Sequence, residues 1–168
     1  MDRCEECGYT YDALPREQLS EVIRGLGPRF GATLEASPGA LRAHPIAGSW
    51  SGLEYGCHMR DVLRVQRERV VLALTSDEPN FASMRREERV TEERYNEQSP
   101  DVVASELDEA AEALADQLDG LDEAGWRRTG VYNWPESRPR TVGWIARHTI
   151  HEGEHHLMDI KRLLQSPT

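Results

Sequence analysis

The sequence predicts an all-α fold, a four-helix bundle joined by long loops. Four stretches carry apolar residues at helical spacing: Pro15 to Ala36, Ser51 to Thr75, Pro100 to Leu118 and Thr141 to Leu164. Between them lie runs rich in Gly, Pro and charge. The chain of 168 residues is long enough to bury one core, with residues 1–14 as an N-terminal extension and 15–168 as the bundle domain.

In the first stretch, Leu19, Val22, Ile23, Leu26, Phe30 and Leu34 share a face, and Gly25 to Pro28 should bend it. A loop with Pro38 and Pro45 follows, in which His44 reads as a solvated histidine. Ser51 and Glu54 make a capping box for the second helix. Tyr55, Met59, Val62, Gln66 and Ala73 line one side of that helix, and His58 sits at the edge of the apolar face. Asp61, one turn on, reads as an exposed acid or as a group orienting a ligand. Ser76 to Ser99 is highly charged and reads as a solvated segment, or as a lid over a pocket lined by Tyr95 and Trp134. The third helix is expected to be capped by Ser99 and opened by Pro100. The connector that follows holds Trp126 and Trp134, both read as core plugs, and allows a short hairpin or an extended crossing around Val131 to Trp134.

The last helix organises the chain. On a wheel of about 100° per residue, Ala146, Ile150, Gly153, Leu157, Ile160 and Leu164 form one line. Thr141 is its N-cap and Pro167 lies beyond its end. His156 falls roughly 80° and Glu152 about 120° from the stripe, so this pair, one turn apart, can look into a bundle core. A buried carboxylate needs a partner or a metal. A carboxylate and an imidazole one turn apart are a common way for a helix to supply two metal ligands. His58 is then the third. His151 and His155 fall on the opposite face, toward solvent. His151 to His155 also spells H-E-x-x-H, the zinc-protease pattern. The wheel puts those histidines on the wrong face for it, and no strand pattern offers an edge to a peptide.

Near the N-terminus, Cys4 and Cys7 have C-x-x-C spacing, with Gly8 following as in a zinc knuckle. A closed structural site needs four ligands, so a partner chain, His44 or Cys57 would have to contribute. A redox dithiol and a pair of idle thiols are the other readings.

Composition excludes some classes. No run of about 18 apolar residues exists to span a membrane, and the first residues do not read as a signal peptide. A cytoplasmic protein is expected. A net charge of −10 argues against a nucleic-acid partner. Lys161 is the lone lysine beside 19 arginines, a composition expected from a GC-rich bacterium.

The stretches Trp50 to Leu63 and Ala146 to Ile160 together resemble the DinB/YfiT-like superfamily of metal-binding four-helix bundles, which includes mycothiol-dependent maleylpyruvate isomerases. That family places one ligand shortly after a W-[ST] start, here His58. It places two more in an H- or E-x-x-x-H run before x-x-[QD]-[IL], here Glu152 and His156 ahead of Leu157 to Ile160. The resemblance implies a divalent metal on His58, Glu152 and His156. Zinc is the default, with nickel or iron also compatible. It further implies a transferase or isomerase that activates a low-molecular-weight thiol, mycothiol in a GC-rich bacterium, against an electrophilic small molecule. A hydrolase using water on the same metal and a non-enzymatic metal-binding module are the alternatives. Arg60 and Arg147 stand as anchors for an anionic substrate or as plain surface residues. A homodimer is compatible with all of this.

Overall fold

The computed structural model describes residues 3–36, 39–133 and 136–165. Pro38, Trp134 and Pro167 lie outside them. The first apolar stretch forms two consecutive helices, α1 (Leu19–Arg24) and α2 (Leu26–Glu35), separated at Gly25. Pro28 falls in the first turn of α2, where a missing N–H forfeits no intrahelical bond. The helix α3 (Gly52–Thr75) begins on the expected capping box: the Glu54 N–H donates to Ser51 Oγ at 3.2 Å, and the Ser51 N–H donates to Glu54 Oε2 at 2.7 Å. A short α4 (Arg86–Glu92) follows, and then α5 (Pro100–Asp119). Contrary to the expected cap, the Ser99 side chain makes no capping bond to α5, so proline at the first position marks this start alone. A further turn, α6 (Glu123–Arg127), is capped by Asp122, whose Oδ1 accepts from the Gly125 N–H at 2.7 Å.

Of the hairpin and the extended crossing, the structure has the hairpin. β1 (Thr129–Tyr132) pairs antiparallel with β2 (Arg138–Thr141), with Thr129 opposite Thr141 and Tyr132 opposite Arg138. It delivers the chain into α7 (Val142–Gln165), where Thr141 Oγ1 accepts from the Trp144 N–H at 3.1 Å.

The four helical units form a ring in which α5 packs on the α1–α2 pair and on α3, while α7 packs on α3 and on the α1–α2 pair. Two of the three long connections therefore cross the bundle. The pair α3–α7 is antiparallel: Gly52 at the start of α3 lies near Ile160 in the last turns of α7, while Tyr132, just before α7, meets Gln66 halfway along α3. Leu19, Ile23, Leu26, Phe30, Met59, Leu63, Leu107, Leu114, Ile145 and Ile150 fill the centre. Close approach depends on two glycines. A Cβ on Gly153 would lie 2.6 Å from Leu26 Cδ2, and one on Gly27 would lie 2.8 Å from the Asp108 Cα. Trp126 is a core residue, as expected.

The charged segment 76–99 is solvated over most of its length, Arg85 to Glu88 and Thr91 to Arg94 included, but it is pinned to the bundle at Phe81 and Tyr95. Tyr95 is fully buried, and its hydroxyl donates to Asp61 Oδ2 at 2.5 Å. Asp61 is only 2 % exposed, not a surface acid, and it makes no bond to His58. It also accepts from Arg60 Nε at 2.9 Å and from Arg89 Nη1 at 3.1 Å. Arg60 is likewise buried, and it bonds Gln98 and Glu106. These residues hold α4 and its flanks against α3, because a buried carboxylate is tolerated only when it is fully paired. Tyr95 is thus an anchor of the segment and is not in the wall of the cavity beside His58. Among the described residues no helix is long and apolar enough to cross a membrane.

Candidate metal centre

His58 projects from the second turn of α3, and Glu152 and His156 project from α7, one turn apart. Their ligand atoms lie within 4.8 Å of one another. The His58 and His156 rings are 5.0 Å apart, edge to face, and His156 Nε2 is 3.6 Å from Glu152 Oε2. His58 Nδ1 and His156 Nε2 are buried and have no hydrogen-bond partner. Orphaned polar atoms of this kind are costly. Two imidazole nitrogens and a carboxylate are a donor set that suits a divalent transition metal. A metal therefore fits what is present.

Two neighbours orient this group. Asp159 Oδ2 accepts from His156 Nδ1 at 3.1 Å, which leaves Nε2 to face Glu152. The Trp50 ring meets His58 edge on at 4.8 Å and shields it. Burial pushes the His58 imidazole down to about 3, and the nearby His156 adds to the shift. Burial also opposes charge on His156 and Glu152, but pairing outweighs it. Asp159 and Glu152 push His156 up to about 9, while His156 and His148 hold the Glu152 carboxyl well below the usual range.

His58 and Glu152 form part of the wall of a cavity of about 340 Å³. Val62, Val65, Phe81 and Met84 give it apolar surface, and Arg69, Tyr132 and His148 give it polar surface. Residues 82–88, from the charged segment, cover one side, as a lid would. Neither Arg60 nor Arg147 reaches the cavity; Arg147 bonds the backbone at Gly143 and Leu14. Arg69, Arg85 and Arg86 do line it; Arg69 donates to the Tyr132 hydroxyl at 2.8 Å and lies over its ring.

His148 went unassigned in the sequence. It is buried, with Nδ1 2.8 Å from the Tyr11 hydroxyl and Nε2 3.7 Å from Glu152 Oε1. Burial pushes its imidazole down to about 4, so it stands neutral beside the cavity. Its place one turn before Glu152 on the same helix was the available signal. Asp159, three residues after His156, was likewise legible as part of the motif but not as a partner of the ring.

His151 and His155 do not face solvent. Residues 3–14 fold over that side of α7, with the Tyr9 and Tyr11 rings centred 5.7 and 5.5 Å from His151. His44 is tied elsewhere, 2.9 Å from Glu54, and Cys57 is buried against Tyr95 and Gln98. Neither joins Cys4 and Cys7.

A sequence model of the DinB superfamily matches residues 16–160. No curated protein matches the chain. Among solved structures, YfiT from Bacillus subtilis superposes with a TM-score of 0.82 at 15% identity, over 90% of this chain and 89% of its own; it is described as a probable metal-dependent hydrolase with an unusual four-helix bundle topology. The mycothiol-dependent maleylpyruvate isomerase superposes with a TM-score of 0.72 at 15% identity, over 90% of this chain and 63% of its own length. At such identity these likenesses establish the fold.

Proposed function

The chain belongs to the DinB superfamily, and on that footing we propose that it is a metal-dependent enzyme that joins a low-molecular-weight thiol, such as mycothiol, to an electrophilic small molecule. His58, Glu152 and His156 hold the metal, with zinc the default ion. The observation that carries this reading is their convergence, with His58 and Glu152 in the wall of a half-apolar cavity. Three protein ligands leave a position open toward a substrate, unlike a closed structural site.

A bound divalent cation would favour the thiolate form of the cosubstrate, which is the nucleophile. The protein's own groups supply the rest. Asp159 keeps the proton on His156 Nδ1, so Nε2 is the nitrogen that would give up its proton to a bound cation. His148 is neutral, and with the Tyr11 hydroxyl donating to Nδ1 its proton sits on Nε2, facing Glu152 and the cavity. It is placed to exchange a proton with the thiol or the product. Val62, Val65, Phe81 and Met84 exclude water from the reacting atoms, and Arg69 offers positive charge to an anionic substrate. A second reading, hydrolysis with water in place of the thiol, draws support from the fold of YfiT.

The test is turnover of a chromogenic haloarene and of an activated ester by the zinc-loaded protein, with and without thiol. Haloarene turnover that needs both metal and thiol, and that His156→Ala abolishes, is expected. Ester turnover indifferent to thiol would replace this reading with the hydrolytic one.

A further inference from the structure

We propose that Cys4, Cys7, His151 and His155 form a second metal site, a closed Cys2His2 zinc clip that fastens the N-terminal segment across α7. It shares no ligand with the site at His58, although Asp159 stands beside a histidine of each.

Four potential ligand atoms, one from each residue, lie within 4.8 Å of one another. A tetrahedral zinc with bonds of about 2.3 Å to sulfur and 2.0 Å to nitrogen sets its ligand atoms roughly 3.3 to 3.8 Å apart, so a small contraction completes the site. Cys4 Sγ already lies 3.7 Å from His155 Nδ1. The loop is shaped as a knuckle. The Gly8 N–H donates to the Cys4 carbonyl at 2.9 Å, the Cys4 N–H donates to the Tyr9 carbonyl at 2.8 Å, and Gly8 turns the chain at φ +76°. A β-bridge between Arg3 and Thr10 closes its base.

The hydrogen bonds around each imidazole leave the required lone pair facing the thiols. The Tyr11 hydroxyl donates to His148 Nδ1 at 2.8 Å and is left to accept from His151 Nδ1 at 3.2 Å. The proton of His151 is thus on Nδ1, and Nε2 is buried with no partner. At His155, Nε2 lies 3.4 Å from the Glu6 carboxylate and 3.8 Å from that of Asp159, so its proton is held there and Nδ1 is free for a metal. Metal-bound histidines characteristically give their second nitrogen to such a partner. The ligand order is C-x2-C followed by H-x3-H, as in small zinc modules, but with the two halves at opposite ends of the chain. A clip that joins chain ends so far apart removes a large loop entropy from the unfolded state. It also holds Tyr11 against His148, beside the cavity. Each cysteine gives up its thiol proton when the metal binds.

The test uses the full chain, purified under reductant, loaded with zinc or cobalt(II) and desalted. Elemental analysis should give two zinc equivalents. The cobalt form should show a thiolate charge-transfer band, and zinc-edge X-ray absorption should show sulfur in the coordination shell. Cys4→Ser/Cys7→Ser should lose one equivalent and the band, while His58→Ala/His156→Ala should lose the other equivalent and keep the band. A single equivalent with sulfur in its shell would support the clip and remove the site at His58. Bound zinc with no sulfur in its shell, or a Cys4–Cys7 disulfide persisting in reductant, would overturn the clip. These spectra are read on the wild-type chain, so a variant that fails to fold does not blunt them.

Discussion

Replacing Asp61 by Asn tests whether the charged segment is held as a lid by one buried carboxylate. Asp61 accepts from Tyr95, Arg60 and Arg89, and its side chain is about as buried as any in the core. Asn keeps the shape and one acceptor oxygen, but it removes the charge that faces two guanidinium groups. Arg60 retains Glu106 and Gln98, and Arg89 retains Glu93, so the arginines are not stripped of partners. Breaking a buried ion pair from one side costs about 3 to 5 kcal/mol. With those partners kept, the low end is expected, about 3 kcal/mol at pH 7 in urea unfolding. The pH dependence has a fixed sign. Burial alone would raise the Asp61 carboxyl, but Tyr95 and Arg60 outweigh it and hold it below its ordinary value. Its stabilisation is therefore complete above the unfolded value of about 3.9 and is lost as pH falls through the lower folded value. The gap between wild type and Asp61→Asn should be constant from pH 7 down to about 5 and then close in acid. Amide exchange across residues 82–97 should also quicken in the variant. A gap under about 0.5 kcal/mol, or one unchanged at low pH, would refute the role given to Asp61.

Two further outcomes follow from named contacts. Asp159→Asn keeps an acceptor near His156 Nδ1 but loses its charge, so zinc affinity at the His58 site should fall about 10-fold in chelator competition, and Asp159→Ala about 100-fold; unchanged affinity in both would detach Asp159 from the metal centre. Gly27→Ala places a methyl against the Asp108 backbone, where nothing flexible can yield, and should cost about 3 kcal/mol by overpacking, whereas Gly31→Ala, facing open contact, should be near neutral or stabilising.

Helix positions were legible because each rests on local information. The capping box at Ser51, proline at position 100 and the break at Gly25 all act within one or two turns. The short α6 was not read, because five residues carry too little periodicity. The gathering of Glu152 and His156 on one face of α7 also follows from a helix wheel. Their meeting with His58 was inferred from a motif, and the fold brings the three together.

What the wheel misjudged was the far face of α7. It assigns His151 and His155 to solvent because periodicity knows only the helix and the core on one side of it. A second layer, residues 3–14, arrives from the other end of the chain and covers them. Asp61, Arg60 and Tyr95 were misjudged for the same reason. A charge is an exposed residue by sequence statistics, and becomes a buried one when partners from α4 and α5 reach it through space. The sequence alone determined the helices, their apolar stripes and the ligand types, since these depend on neighbours along the chain. Only the tertiary structure decided what surrounds the polar side chains, His148 with Tyr11, Asp61 with Tyr95 and Arg89, and the thiols beside His151 and His155, since that depends on contacts between segments far apart in sequence.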